Sequence, residues 1–362
     1  MAFDPQGSKS ECLEHFIPAK TARYLCFDPR LYAPHYKPTS TLYQVPPKGA
    51  VRRHPRSKSE VAKTEMTHVF LAGMAVVDFV FSVDRLPDRA EKYRASDAHI
   101  VGGGCAANAA VAIARLGGKA TLAACLGDDA LGDLILSDLQ REGVETKSIQ
   151  RTQNGRSSFS SVFVDRSGER QIMNFRGDGL APHDVSSAQD FKADAVLVDT
   201  RWSEGALAAL TRAKALSIPG VLDAEAPIKM SLLNAASHIA FSRQGLLSLS
   251  DAKTLPQALT EVTSELESWA CVTDGRAGVF YTDNGQIAHI PAFEVPITDT
   301  LGAGDIWHGA FTLGLGEGMD APKAIEFANA AAALKCMQFG GRKGCPDRQM
   351  TETFMKENTP CN

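Results

Sequence analysis

The sequence predicts an α/β protein in which a mainly parallel sheet is covered by helices on both faces, with a small second β-sheet standing off the main body. From residue 67 onward, short buried runs alternate with amphipathic or alanine-rich stretches of helical length. This alternation is typical of a parallel sheet with helical crossovers. Between residues 157 and 176 a β-hairpin pattern interrupts it, and that hairpin supplies strands for the small sheet.

Length and composition describe an ordinary globular chain with one large domain. Its 362 residues are 44% hydrophobic and 22% charged, and the net charge is -4. This charge gives no reason to expect a nucleic acid or an anionic membrane as partner, and no stretch approaches the roughly 20 apolar residues of a membrane-spanning helix. The eight cysteines form no C-x-x-C pair and no Cys/His metal spacing. We therefore expect reduced thiols and a cytoplasmic location.

Residues 1–66 differ in composition from the rest of the chain. They contain 8 of the 18 prolines and 11 Lys or Arg against 6 Asp or Glu. The sequence therefore predicts a poorly ordered extension at 1–66, a domain at 67–350 and a C-terminal tail at 351–362. Because Met66 directly precedes the first strand, one alternative is that translation in the cell starts at Met66 and the upstream start is not used. A basic arm that binds a partner is another.

The periodicity places the elements of the domain in order. It predicts strands at 68–78, 79–83 and 121–127 and helices at 106–116 and 130–142, with the small sheet built from about 79–101 and 157–176. Further strands are expected at 195–199, 220–223, 239–242, 270–273, 278–281, 286–290 and 293–298. Further helices are expected at 203–216, 245–250, 255–267, 304–317 and 321–337, followed by a loop at 340–345 and an amphipathic end.

One short run, residues 299–305, combines an anion site with an acid. Gly302, Ala303 and Gly304 lie where a helix begins, so their N–H groups and the helix dipole favour an anion. Asp305 would repel a bound phosphate, unless its task is to take a proton from an attacking hydroxyl while the amides stabilise the phosphoryl group. The alternative is an ordinary glycine-rich turn with an Asp near a helix N-terminus.

Two separated motifs resemble the paired signatures of the PfkB (ribokinase-like) carbohydrate kinases. They are Gly103-Gly104-x-x-x-Asn108 and the run from Asp299 to Asp305, and the resemblance covers about 67–350. It implies a three-layer αβα sandwich with a small β-sheet lid, and transfer of the ATP γ-phosphoryl group to a sugar hydroxyl. It further implies that Asp305 is the catalytic base, that the amides of residues 302–304 form the anion hole, and that Mg²⁺ accompanies ATP.

The resemblance also assigns ligand contacts. Asp78, where the alternative is a strand-end cap, would hold sugar hydroxyls together with Asn108, and Gly103 and Gly104 would let the backbone approach the sugar. Residues 273–278 resemble the nucleotide stretch T-x-G-x-x-G, which a tight hairpin turn would also explain. The nucleotide contacts are then Thr273, Gly275, Gly278, Gly302, Gly304 and Cys336.

Two cation features of the family stay open in this sequence. Its N-x-x-E motif, which organises water around Mg²⁺, corresponds here to residues 242–245, with Ser242 and Gly245 in place of Asn and Glu. Protein-side ligands for Mg²⁺ are therefore unassigned. A monovalent cation such as K⁺ would draw on Asp299 and the 335–344 loop, and the sequence does not decide whether one binds.

Within the family, the stretches 198–202, 240–246, 333–336 and 340–347 resemble the sulfofructose kinases. That resemblance implies phosphorylation of 6-deoxy-6-sulfofructose at O1, with the sulfonate held by Lys92, Asn174 and Arg201. Each of the three has a structural alternative: a solvated lid charge, a strand-end turn residue and a surface ion pair, respectively.

Two other functions remain open from the sequence. One is a different PfkB sugar kinase, such as a fructokinase or ketohexokinase. The other is a catalytically silent sugar sensor, against which the intact Asp305 argues. A projecting lid would also leave apolar strand faces uncovered, so a homodimer through the lid is expected.

Overall fold

The computed structural model describes residues 66–180 and 191–358. Nearly all of the N-terminal extension expected at 1–66 therefore lies outside the described residues, as do residues 359–362 of the expected tail. The description that follows concerns the two described ranges.

A nine-stranded sheet forms the middle layer of the molecule. Its strands are β1 (His68–Ala72), β4 (Lys119–Gly127), β5 (Ile149–Thr152), β8 (Ala195–Asp199), β9 (Gly220–Ala224), β10 (His238–Ser242), β11 (Trp269–Thr273), β12 (Val279–Asp283) and β13 (Gln286–Ile290). The spatial order is β13-β12-β11-β10-β9-β8-β1-β4-β5. All pairs are parallel except β11–β12 and β12–β13. The central strands are apolar on both faces, since both are covered by helices.

The helices divide between the two faces of this sheet. They are α1 (Cys105–Arg115), α2 (Ala130–Arg141), α3 (Ser203–Leu216), α4 (Met230–Ala235), α5 (Arg243–Leu247), α6 (Leu255–Thr263), α7 (Ala303–Gly316), α8 (Ala321–Cys336) and α9 (Arg348–Asn358). One buried cluster joins the sheet to α1, α2, α7 and α8, and a second joins it to α3, α4, α5 and α6. The three-layer αβα sandwich is confirmed. Helix α9 runs across residue 350, the predicted end of the domain, and buries Thr351.

None of the described helices is long and apolar enough to span a bilayer.

The lid is a separate four-stranded sheet with the order β3-β2-β6-β7. Its strands are β2 (Val76–Ser82), β3 (Asp97–Gly103), β6 (Phe159–Val164) and β7 (Arg170–Phe175). Adjacent rows of side chains point to opposite faces of a sheet. One row consists of Val101, Asp78, Ser160 and Asn174, and the next consists of Ile100, Phe79, Ser161 and Met173.

The strand predicted for residues 68–78 is two strands in two different sheets. β1 ends at Ala72, and β2 of the lid begins at Val76. The corner between them is fixed by Asp199, whose Oδ2 accepts the amide of Met74 at 2.8 Å. A Cβ at Gly73 would lie 2.2 Å from the same carboxylate oxygen. Asp78 is therefore the third residue of a lid strand and does not follow a core strand in a turn.

The strand predicted for residues 293–298 is absent, and the segment is irregular. Pro296 has no N–H to donate to a strand ladder. The apolar side chains that alternate here, Phe293, Val295 and Ile297, line a pocket instead. Their alternation is real, but it reflects a cavity wall and not a sheet face.

Candidate active site

Helix α7 begins at a glycine in the left-handed region, and its first turn carries the acid. Gly302 is the N-cap residue with a φ of 76°, a conformation that glycine adopts without strain. The amide of Ala303 donates to the carbonyl of Thr300 at 3.2 Å. Those of Gly302 and Gly304 meet no acceptor among the described residues. Two of the three predicted anion-hole amides are thus free to bind an anion.

The Asp305 carboxylate receives a hydrogen bond from a residue of the first motif. Nδ2 of Asn108, on α1, donates to Oδ2 of Asp305 at 2.7 Å. Burial, together with the nearby carboxylate of Asp223, raises the pKa of Asp305 to about 7, although the Asn108 hydrogen bond and His308 act in the opposite direction. A carboxyl group with a pKa near neutrality suits proton transfer at physiological pH.

Helix α1 is placed by its glycine start and by one buried acid. Gly104 caps the helix with a φ of 94°, and a Cβ there would lie 2.4 Å from the carbonyl of Met74. Asp199, at the end of β8, accepts the amide of Ala106 at 3.2 Å and that of Arg201 at 2.8 Å. The predicted glycine motif is therefore a requirement of close packing at the start of α1, and it brings Asn108 to the first turn of α7.

Arg342 is a site residue that sequence reasoning missed. Its guanidinium is only 3% exposed, pairs with Asp138 and donates to Oδ1 of Asn108 at 3.4 Å. A Cβ at Gly102 would lie 1.6 Å from Arg342 Nη2. Arg115 holds the turn of residues 341–344 by donating to the carbonyl of Lys343 at 2.9 Å. The available signal was an arginine flanked by glycines in a loop expected near the site.

A second missed residue is His308, one turn after Asp305 on α7. Its imidazole is buried, and neither ring nitrogen has a hydrogen-bond partner in the described part of the chain. Its Nε2 lies 3.6 Å from Asp223 Oδ1. Burial lowers the pKa of His308 and raises that of Asp223 well above its usual value. The signal was a histidine within an otherwise apolar helix face.

The lid row that consists of Val101, Asp78, Ser160 and Asn174 brings predicted sugar contacts together. Asp78 and Ser160 are direct cross-strand neighbours, and Ser160 is opposite Asn174, whose Nδ2 donates to Ser160 Oγ at 3.1 Å. Burial raises the pKa of Asp78, while the Ser160 hydrogen bond and Arg342 lower it. A Cβ at Gly103 would lie 2.1 Å from Asp78 Oδ2. Any residue other than glycine at this position would therefore clash with the carboxylate.

The three predicted sulfonate ligands lie on separate elements. Asn174 is on the edge strand of the lid, and Lys92 is exposed on the 83–96 connection. Arg201 is partly buried after β8, where it pairs with Glu225 at 2.5 Å and donates to the carbonyl of Ala226 at 3.0 Å. Within the described ranges no polar contact joins any two of the three.

A cavity of about 380 Å³ contains most of the predicted nucleotide contacts. Its wall includes Thr273, Gly275, Gly278, Gly304 and Cys336, together with Trp307, Asn329 and the irregular residues 293–297. Gly302 is not in the wall but caps the adjoining helix. The cavity therefore opens beside the first turn of α7, where the phosphate end of a nucleotide would meet the free amides.

The donor atoms near Asp305 fit Mg²⁺ in part. Sγ of Cys105 and carboxylate oxygens of Asp223 and Asp305 lie within 4.8 Å of one another. Magnesium prefers oxygen ligands, so the carboxylates suit it and the thiol does not. The stretch that replaces N-x-x-E is a helix cap, in which Ser242 Oγ accepts the amide of Gly245 at 2.9 Å.

The residues near Asp299 do not fit a monovalent cation. The ammonium group of Lys335 occupies the oxygen-lined position there, 2.9 Å from Asp299 Oδ2 and 2.6 Å from the Asp299 carbonyl.

Fold and site together define a sugar kinase of the ribokinase-like class, and comparison with known proteins agrees. The model of the pfkB family carbohydrate kinases matches residues 66–348. The chain is 29% identical to a ribokinase of Bacillus subtilis, over 80% of this chain and 100% of that protein. It is also 29% identical to a fructokinase of Vibrio alginolyticus, over 78% of this chain and 96% of that protein.

Solved structures show the same fold. A crystal structure from Agrobacterium tumefaciens, of a protein with a provisional ribokinase name, is 37% identical with a TM-score of 0.76, covering 81% of this chain and 98% of that one. The Arabidopsis thaliana ribokinase complexed with ribose and ATP is 23% identical with a TM-score of 0.72, covering 81% and 99%. The chain belongs to the PfkB carbohydrate kinase family and is an ATP-dependent sugar kinase.

Proposed function

We propose that Asp305 is the general base of this kinase and that the amides of Gly302 and Gly304 stabilise the transferred phosphoryl group. The observation that carries the proposal is the Asn108–Asp305 hydrogen bond of 2.7 Å, made by a carboxyl group whose pKa is raised to about 7. That carboxyl group lies at the helix start beside the nucleotide-sized cavity. Phosphoryl transfer depends mainly on positioning and electrostatics, which these groups supply.

In the proposed reaction the sugar hydroxyl lies between Asp305 and the γ-phosphate of ATP. The hydroxyl proton moves to the Asp305 carboxylate as the oxygen forms a bond to phosphorus. The bond from phosphorus to the β-phosphate oxygen breaks, and ADP leaves. Asp78, in line with Ser160 and Asn174, would accept hydrogen bonds from other hydroxyls of the sugar. Mg²⁺, when bound with ATP, would neutralise phosphate charge, and Asp223 is the nearby carboxylate that fits it, since Asp305 must stay free to take the proton.

We further propose 6-deoxy-6-sulfofructose as the sugar, phosphorylated at O1. Support comes from Arg201 at the C-terminal edge of β8, where open α/β sheets bind ligands. Its guanidinium is partly buried and already bound to Glu225, so a sulfonate would share or replace that carboxylate. Asn174 belongs to the same lid row as Asp78, and Lys92 is an exposed cation on the lid.

The test is a steady-state comparison of sulfofructose, fructose, fructose 6-phosphate and ribose with ATP. The proposal expects the highest kcat/KM for sulfofructose. A higher value for fructose, ribose or fructose 6-phosphate would reject the sulfonate assignment but leave the kinase reaction intact. Fructose and ribose are the rival substrates, because a fructokinase and a ribokinase are among the relatives. No turnover with any sugar would favour a silent sensor.

The lid is also proposed to form a homodimer. The lid row that contains Phe79 also contains Ile100, which is 54% exposed, and Met173, which is 73% exposed. Light scattering after gel filtration should show a dimer that Met173→Glu converts to a monomer, and a wild-type monomer would contradict the proposal.

A cytoplasmic location belongs to the proposal as well, since ATP is used there and the five cysteines of the described ranges are free thiols.

A further inference from the structure

Lys335, the penultimate residue of α8, is a fully buried lysine with an ammonium group surrounded by oxygen atoms. Its side chain is 0% exposed. Nζ donates to the backbone carbonyl of Asp299 at 2.6 Å, to Oδ2 of the same residue at 2.9 Å and to the carbonyl of Gln338 at 3.4 Å. An ammonium group is buried only where partners compensate for its lost water. Here three oxygens from two chain segments do so.

These oxygens form a donor set for a hard monovalent cation. Two are backbone carbonyls and one is a carboxylate, the groups that replace water around such ions. Burial alone would raise the pKa of Asp299, but the amides of Gly341 and Leu301 and the Lys335 ammonium hold it below its usual value. One carboxylate charge is thus balanced by one ammonium charge within the chain.

A second cation has neither charge nor room at this position. An added ion would share the single Asp299 carboxylate with Lys335 and be repelled by the ammonium. The cavity next to Asp299, lined by Leu301, Phe339 and Gly340, measures only about 10 Å³. That volume is at the lower limit for one water molecule.

The ammonium holds both segments that build the catalytic end of the site. Asp299 Oδ1 accepts the amide of Leu301 at 2.8 Å, which shapes the turn leading to Gly302 and α7. Asp299 Oδ2 accepts the amide of Gly341 at 2.9 Å, directly before Arg342, which contacts Asn108. Lys335 therefore orders the turn in front of Asp305 and the turn that places Arg342.

We propose that Lys335 is a built-in substitute for a monovalent cation, so that this kinase works without K⁺. Lys335 touches no substrate in this account; it is a positioning residue that acts through Asp299. The activity arm of the test rests on the proposed function. The melting-temperature measurements do not rest on it, because they report how the cation changes the stability of the protein without substrate.

The first experiment uses the wild-type protein and the Tris salt of ATP, with KCl, NaCl or choline chloride at equal ionic strength. Phosphorylation of whichever sugar is turned over should differ by less than about twofold among the three salts. The melting temperature should not depend on the cation either. Stimulation by KCl of about tenfold or more would overturn the proposal.

The second experiment removes the ammonium. Lys335→Ala leaves the three oxygens around a cavity, so kcat should fall in choline chloride and recover in KCl. The melting temperature should rise in KCl only, because a bound ion stabilises the folded state. Lys335→Met fills the same space without a charge and should not respond to KCl. Lys343→Ala removes an exposed lysine of the adjoining turn and should behave as wild type.

The two arms separate the possible failures. If the Lys335→Ala protein folds but its melting temperature shows no K⁺-specific change, the proposal that Lys335 replaces a monovalent cation is wrong. If no sugar is turned over, the proposed function fails while the melting experiment still decides the role of Lys335. If Lys335→Ala does not fold, the wild-type salt comparison decides it.

Discussion

Asn108 Nδ2 donates a hydrogen bond to Asp305 Oδ2 at 2.7 Å, across 197 positions of the chain. The bond joins the two separated motifs and leaves the other oxygen of Asp305 free to receive a proton. It also stabilises the ionised carboxylate against burial and against the charge of Asp223, which together raise the pKa of Asp305. Asn108 thereby lowers the pH at which the proposed base becomes unprotonated.

We expect the pH profile to report this hydrogen bond. A base must be unprotonated, so kcat/KM, which reports groups of the free enzyme, should rise with pH through an acid limb whose apparent pKa is near 7, the value to which the pKa of Asp305 is raised. Asn108→Ala removes the donor and should move this limb upward by about one to two pH units, since a hydrogen bond to a charged group contributes about 1.5–3 kcal/mol. An acid limb that stays in place would show that another group controls the pH dependence.

Asp305→Asn should lose activity and gain relative stability at high pH. Loss of a general base lowers kcat by about 10²–10⁴-fold. The raised pKa means that between about pH 4, the unfolded value, and pH 7 the folded protein keeps a proton that the unfolded chain has released. Wild-type stability therefore falls over that range, and the variant lacks this loss. Its melting temperature relative to wild type should be higher at pH 8 than at pH 5. Unchanged ATP turnover would refute the assignment of the base.

Arg342 should affect the same titration without touching the carboxylate. It donates to Oδ1 of Asn108, which keeps the Nδ2 group turned toward Asp305. Arg342→Met frees the amide to rotate, so the acid limb should move upward as in Asn108→Ala. The double variant should add nothing further. Arg141→Met is the control, because Arg141 pairs with the same Asp138 from an exposed position. Additive shifts would mean that Arg342 acts elsewhere.

The fold follows from local sequence patterns, whereas the details of the site depend on long-range contacts. Alternating apolar runs predicted the αβα layers and the lid hairpin because burial on one or two faces shows in the sequence itself. The same pattern failed at 293–298, where apolar residues face a cavity instead of a neighbouring strand. It failed again at 68–78, where Asp199 turns the chain from one sheet into the other.

The motifs located Asp305 and Asn108, but they did not show how other residues support them. Arg342 and His308 approach the site from a loop and from a helix face, and nothing in their immediate neighbours in the sequence indicates which groups they meet. Lys335 reads as an ordinary helical lysine. Its full burial against Asp299 is visible only when α8 packs beside the turn.

The substrate assignment gives the last prediction, at Arg201 and Lys92. If both cations hold a sulfonate, Arg201→Ala and Lys92→Ala should each raise the KM for sulfofructose about tenfold or more, with little change for fructose, because fructose carries no charge. Arg89→Ala, an exposed arginine on the same lid connection as Lys92, is the matched control and should change neither KM. The ion pair of Arg201 leads to one more expected result. Because it is bound to Glu225, Glu225→Gln should release the guanidinium and lower the KM for sulfofructose. Equal effects on both sugars would place Arg201 in the scaffold of the site and leave the sulfonate without its main ligand.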